Sequence, residues 1–318
     1  MSVPLDRGSI SLRLYPHDLP PSGVVDEIRT QARLAEQSGF DGVMLSEHHG
    51  GFPNYIPNPL LASTWALDAT ETIWAAPCPQ LLPLRPVAQI VEDLAWTAAR
   101  FPGRVGAGFA AGALPLDFEM SGVPFEEMNA RFKAALPEVA AALRGEGASP
   151  LGDDPAVAAL RAVPIPVVSA AQSPAAARRA AACSIGLLFD SLTSIERAAD
   201  VSAVHVGNGG VGTRIMLRRV WIGEPPTQSV GAQMDRFRMV APDRAKAHWS
   251  PDGGLVSSPD ASEVCERLDD QVRRGGCDAL NLRVFHAGVS PDAVREQIAL
   301  LGQDVLPRLR KMAAGWMS

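Results

Sequence analysis

The stretch Gly42-Val43-Met44-Leu45-Ser46-Glu47-His48-His49 leads through Gly50-Gly51-Phe52 into Pro53-Asn54-Tyr55-Ile56-Pro57-Asn58-Pro59. Its first half is an apolar run of strand length. Its second half sets a carboxylate and two imidazoles at the strand end, ahead of a Pro/Asn-rich loop. A strand end needs no such residues for stability. Chemistry near neutral pH does, because imidazole titrates there. Polar groups at the C-terminal end of a buried strand mark the active-site rim of an α/β barrel.

Strand-like and helix-like segments alternate outward from this point. Residues 10–14, 42–46, 72–82, 104–107, 167–170, 186–189, 214–221 and 279–284 read as strands. Amphipathic or capped helices read between them, such as 24–39, with Ile28, Ala32 and Ala35 on one face, 87–100, 125–144, 174–183 and 261–274. Such alternation predicts parallel βαβ units, and this many of them a closed barrel. The expected fold is therefore α/β: a single (β/α)8 TIM barrel spanning 1–318, with insertions near 113–124 and 225–258.

Bulk composition narrows the function. The chain has 318 residues, is 47% hydrophobic and carries a formal net charge of −6. It can bury a large core, and its acidic balance argues against a nucleic-acid or anionic-membrane partner. No apolar run approaches the ~18 residues of a membrane span. The first residues lack the apolar segment of a signal peptide, so a cytoplasmic location is expected. Cys78, Cys183, Cys265 and Cys277 are far apart in the chain. They read as buried free thiols, not as a zinc or disulfide framework. Gly207-Asn208-Gly209-Gly210-Val211-Gly212 fits G-x-G-x-x-G, but a strand-like run follows where a dinucleotide fingerprint needs a helix, so it reads as a turn. Neighbours on a strand point to opposite faces, so His48 and His49 are not expected to share a metal. A structural histidine beside a solvent-facing one is the plain alternative to catalysis.

Further motifs keep a fixed order. Gly39-Phe40-Asp41-Gly42 leads to Glu47-His48-His49 and Asn58-Pro59. Leu82-Pro83-Leu84-Arg85-Pro86-Val87 follows the third strand, and Gly103-Arg104 starts the fourth. Gly122-Val123-Pro124-Phe125-Glu126-Glu127 with Arg131-Phe132 opens a long helix, and Val305-Leu306-Pro307-Arg308-Leu309 closes the last one. In these motifs the chain resembles the bacterial luciferase-like flavin-dependent oxidoreductases over nearly its whole length. The resemblance implies a barrel holding FMN, reduced FMN or a deazaflavin coenzyme at the strand ends. It implies a monooxygenase that takes reduced FMN from a separate flavin reductase and uses dioxygen on a small, apolar organic substrate. Deazaflavin-dependent hydride transfer and a non-catalytic flavin-binding barrel are the alternatives. A homodimer through the helices at 60–70 and 87–100 is also implied.

Carried over residue by residue, the resemblance makes His48 the active-site acid/base and Glu47 the carboxylate that orients it, with His49 as structural partner. It puts a cis peptide at Cys78-Pro79, under the flavin. It puts the cofactor phosphate at Ser169-Ala170-Ala171-Gln172-Ser173, where a helix start suits an anion. Gly108 lets backbone approach a ligand closely. Phe52, Tyr55 and Phe109 are expected substrate walls, ahead of Trp221, Trp249 and Phe285. Arg283 and His286, at the end of the last strand, either meet polar ligand atoms or lie at the surface. Two departures stand out. Ala111 occupies the place of a phosphate-binding arginine, and Arg85-Pro86-Val87 lacks the family's preceding histidine.

Overall fold

Every strand in the computed structural model, which describes residues 2–240, 246–250 and 253–316, runs parallel to its partners in one ten-stranded sheet. The strands are β1 (Ile10–Arg13), β2 (Gly42–Leu45), β3 (Trp74–Pro77), β4 (Gln80–Leu81), β5 (Ala107–Ala110), β6 (Val167–Ala170), β7 (Gly186–Phe189), β8 (Arg214–Ile222), β9 (Leu255–Ser258) and β10 (Ala279–Arg283). Their order is β3-β2-β1-β10-β8-β7-β6-β5-β4. The ring closes because β4 continues the third barrel strand. Ala75 of β3 bridges Val105, and Gln80 of β4 pairs with Phe109 of β5. This is the expected barrel, with its third strand divided at Cys78–Pro79.

Two features differ from the expectation. The fourth barrel strand lies at Ala107–Ala110, not 104–107. Arg104 sits before it, held by the Ile73 and Leu67 carbonyls and the Thr70 hydroxyl. The expected insertion at 225–258 contributes a strand of its own. The first part of β8 pairs with β10, while Arg219–Ile222 pairs with β9. The same insertion contains the helix Thr227–Val240, and its residues 241–245 and 251–252 lie outside the described ones. Met234 and Phe237 of that helix rest against Arg219, so the helix covers the barrel mouth over β8 and β10. The insertion at 113–124 contains the short helix Pro115–Met120.

Helix starts follow local chemistry. Asn58, Ser173, Asp260 and Ser290 each accept a backbone N–H of the first turn that follows them, and proline holds the first position after Asn58, Ser173 and Ser290. No helix among the described residues is long and apolar enough to cross a membrane. All four cysteines are free and buried.

The period of two along each strand sorts the side chains. Outward ones such as Leu12, Val43, Leu187 and Leu280 join the main core between sheet and helices. Inward ones, among them Met44, Trp74, Cys78, Val168, Ile215 and Ala279, form a separate cluster inside the barrel. That interior is close-packed. A Cβ on Gly42 would lie 2.0 Å from the Trp74 ring, and one on Gly108 2.2 Å from the Cys78 sulfur. Toward the strand ends the inward positions turn polar. Arg13 donates to the Asn281 side chain at 2.9 Å and to the Cys78 carbonyl at 2.7 Å, and Asn281 donates to Ser11.

Candidate active site

Along β2 and the residues just past it, Met44 points into the barrel, and the same parity carries His48 to the mouth and Glu47 and His49 to the other side. The contacts follow that division. Glu47 is buried and does not orient His48. Its carboxylate accepts from His49 Nε2 at 2.7 Å and from the Leu81 backbone N–H at 2.7 Å, and pairs with Arg85 at 2.6 Å. Glu47 is thus the hub that ties the second strand end to the third, and His49 is its structural partner. The arginine of Arg85-Pro86-Val87 has its use here.

His48 is oriented by Asp117, a residue that sequence reasoning missed. Asp117 lies in the helix Pro115–Met120 and is wholly buried. One of its oxygens is 2.9 Å from His48 Nδ1, and the other accepts the His49 backbone N–H at 2.8 Å. An ionised carboxylate only accepts, so a neutral His48 carries its proton on Nδ1 and keeps a lone pair on Nε2. Phe52 and Tyr55 flank the ring, with centroids 4.8 and 4.4 Å away. Tyr55 meets Tyr15 edge-on at 5.4 Å, and Tyr15 stacks on Phe285 at 5.1 Å. Burial, with Tyr15 alongside, pushes the Tyr55 phenol upward.

The remaining expected residues are divided between the mouth and the scaffold. The Cys78–Pro79 peptide is cis. Burial pushes the Cys78 thiol up to about 11, so it is a packing group and not a nucleophile at neutral pH. Phe109 does not wall a pocket. It points outward from β5 and is wholly buried in the core under the helices. Gly108 faces inward, but the space beside it is taken by Cys78, not left open for a ligand. Ser169 is buried and Ala171 packs into the main core, so both offer backbone only; Ala170 is half-buried, and Gln172 is exposed. Ser173 caps the helix Pro174–Ala182. The Arg197 guanidinium donates twice to the Gln172 carbonyl, at 2.9 and 2.7 Å, and so braces this loop.

A flavin fits these residues unevenly. Gln80 is buried with its side-chain carbonyl unpaired among the described residues, which suits a hydrogen-bonding ring beside the third strand. The helix start after Ser173 suits a phosphate. No arginine projects from position 111, which is Ala111, so the anion would depend on backbone N–H groups.

Across the mouth, Arg219 and Arg283 are register partners and are buried with His286. Burial and the two guanidinium groups hold His286 down at about 3. Arg283 and His286 were readable as possible ligand contacts, and the structure puts them inside the mouth, not at the surface. Arg13 and Arg219 had a usable signal too, as charged residues at inward positions of apolar strands.

A family model described as luciferase-like monooxygenase matches residues 9–303. The chain is 35% identical to 3,6-diketocamphane 1,6-monooxygenase of Pseudomonas putida over 89 residues, covering 28% of this chain and 24% of that one. Across the first curated relatives the matched segments span 24% to 34% of their lengths. Among solved structures, the monooxygenase RslO1 of Streptomyces bottropensis superposes with TM-score 0.76 at 19% identity, covering 94% of this chain and 99% of that one. The oxygenating constituent of 3,6-diketocamphane monooxygenase from Pseudomonas putida, in complex with FMN, gives 0.72 at 17%, covering 95% and 98%. An F420-dependent secondary alcohol dehydrogenase gives 0.73 at 14%, covering 96% and 99%. At these identities the superpositions speak for the fold.

Proposed function

The chain belongs to the luciferase-like monooxygenase family, and on that premise we propose that it is a monooxygenase acting with reduced FMN and dioxygen on a small organic substrate. The observation that carries the reading is the His48–Asp117 pair at the barrel mouth. A buried carboxylate holding Nδ1 serves no packing need. It fixes the ring and leaves Nε2 as the one nitrogen free for proton transfer, beside the aromatic walls of Phe52 and Tyr55.

Reduced FMN, when bound, supplies the electrons that activate dioxygen. The chain supplies the rest. Gln80 and the turn at Cys78–Pro79 would meet the ring, and the loop 170–173 with the following helix start would hold the phosphate. His48 Nε2 would accept a proton at the reacting atoms and return it there. The helix Thr227–Val240 keeps water from the mouth. The reading includes a separate flavin reductase, a cytoplasmic location and a single catalytic domain. It also includes a homodimer through the helices Pro59–Asp68 and Val87–Arg100, where Leu61 and Trp96 are exposed.

The test is an anaerobic titration of flavin-free protein with reduced FMN, FMN and a deazaflavin, followed by air. Reduced FMN should bind and consume oxygen through an absorbance change that His48→Gln slows. Selective deazaflavin binding without oxygen uptake would replace the proposal with hydride transfer, and no flavin binding would leave a non-catalytic barrel.

A further inference from the structure

Among the described residues, the buried cations Arg219 of β8 and Arg283 of β10 at the barrel mouth have no anion paired with them. Arg219 and Arg283 sit opposite each other on β8 and β10, with relative exposures of 0% and 2%, and His286 is at 0%. Among the described residues neither arginine forms an ion pair. Arg219 Nε and Nη2, Arg283 Nη2 and both ring nitrogens of His286 lack a hydrogen-bond partner there. Their other contacts are neutral: Arg219 meets the Met234 sulfur at 3.0 Å, Arg283 Nε donates to the Phe285 carbonyl at 3.0 Å and lies 4.2 Å over the Tyr15 ring, and both guanidinium groups lie near the Phe237 ring. Asp190 lies within electrostatic reach of Arg219, but its oxygens already accept from Leu192, Thr193 and Gln172. Burial, then Arg283, pulls Arg219 down to about 9.

Two buried guanidinium groups on paired strands, both with unpaired N–H groups, are a costly arrangement unless an anion completes it. Guanidinium pairs match the planar oxygens of a carboxylate or sulfonate. We propose that Arg219 and Arg283, with the His286 ring, hold an oxyanion group of the substrate, so that the substrate is an organic anion and not a neutral apolar molecule. This rests on the reading of the barrel mouth as a monooxygenase substrate site. A chain of side-chain contacts links the two ends: Arg283 covers Tyr15, Tyr15 meets Tyr55, and Tyr55 meets His48 at 4.4 Å. An anionic end held at the arginines lays an apolar body over the tyrosines toward His48. The cofactor's phosphate is the other source of such an anion, but its expected loop follows β6, with β7 between it and β8.

The test is calorimetric titration of the full-length protein, flavin-free and FMN-loaded, with benzoate, its neutral isostere benzamide, and sulfate. Benzoate should bind both forms at least tenfold more tightly than benzamide. Arg219→Met and Arg283→Met should each weaken benzoate tenfold or more and leave FMN affinity within twofold. The melting temperature of flavin-free Arg219→Met should match or exceed the parent's, which separates lost binding from lost folding. Equal binding of benzoate and benzamide, or no benzoate binding, overturns the proposal. Displacement of FMN by benzoate, with FMN but not riboflavin weakened in the variants, assigns the anion to the cofactor phosphate and overturns it too. Protein that binds benzoate through Arg219 but binds no flavin keeps the anion site and removes the monooxygenase reading. Protein that binds flavin but no benzoate does the reverse.

Discussion

Asp117→Asn changes one atom type and should invert the proton on His48. In the native site both Asp117 oxygens are used, one by His48 Nδ1 at 2.9 Å and one by the His49 backbone N–H at 2.8 Å. Asparagine keeps one acceptor. The His49 N–H is fixed in the chain and can only donate, so it takes that oxygen. The new amide N–H then faces His48 Nδ1, which must become an acceptor, and the ring proton moves to Nε2. Nε2 loses the lone pair that makes it a base. General acid–base assistance is worth roughly 10²–10⁴ in rate, so turnover should fall by about that factor. Stability should fall by only about 1 kcal/mol, because both hydrogen bonds survive without their full charge assistance. Long-range ¹⁵N–¹H NMR of histidine-labelled protein reads the tautomer directly, with His48→Gln to assign the signal. Stopped-flow oxidation of the reduced-FMN complex reads the rate. A native Nε2–H tautomer, or an Asp117→Asn variant with unchanged tautomer and rate, would refute the reasoning.

Other outcomes follow from packing and charge. Glu47→Gln should cost about 3–5 kcal/mol in urea unfolding, because it strips a buried carboxylate from Arg85 and His49 at once. An unchanged midpoint would show that the hub is not structural. Gly108→Ala should lower the melting temperature by overpacking against the Cys78 sulfur, at roughly 1–3 kcal/mol, and Cys78→Ala in the same chain should recover most of that. Phe109→Ala should cost about 3–5 kcal/mol as a core deletion and leave substrate KM unchanged, whereas a raised KM with normal stability would return Phe109 to the pocket wall. His286 takes up a proton near pH 6.5 when unfolded but only near about 3 when folded. Its contribution is therefore present above pH 6.5 and lost as pH falls through that window, by a few kcal/mol at most, about 1.4 per unit. His286→Gln should flatten this acid limb between pH 6.5 and about 3, with His17 and His205 supplying what remains, and equal losses in both proteins would remove His286 from the account.

The barrel and the candidate histidine were legible because both depend on local pattern. Apolar runs of strand length, helix caps and a charged strand end need only neighbours in sequence to be recognised. The partners of those residues were not all hidden, however. The parity that separates His48 from His49 also separates His48 from Glu47, and Glu47 does pair with His49. The same parity divides Gly108 from Phe109 and sends the phenyl ring outward. It likewise puts Arg219 inward, on a strand otherwise rich in apolar residues. Asp117 is different. Its helix begins at Pro115 within an insertion, and only the docking of that insertion against residues 48–50 brings its carboxylate to the imidazole. No periodicity encodes such a contact. The buried state of Arg219 and Arg283 has the same origin, since Met234 and Phe237 of a second insertion cover them. The barrel strands carry the ionisable groups to the mouth, and the insertions decide which of those groups are paired, buried or left seeking a partner. The pairing and burial of these ionisable groups therefore depend on the segments that fit the barrel pattern least.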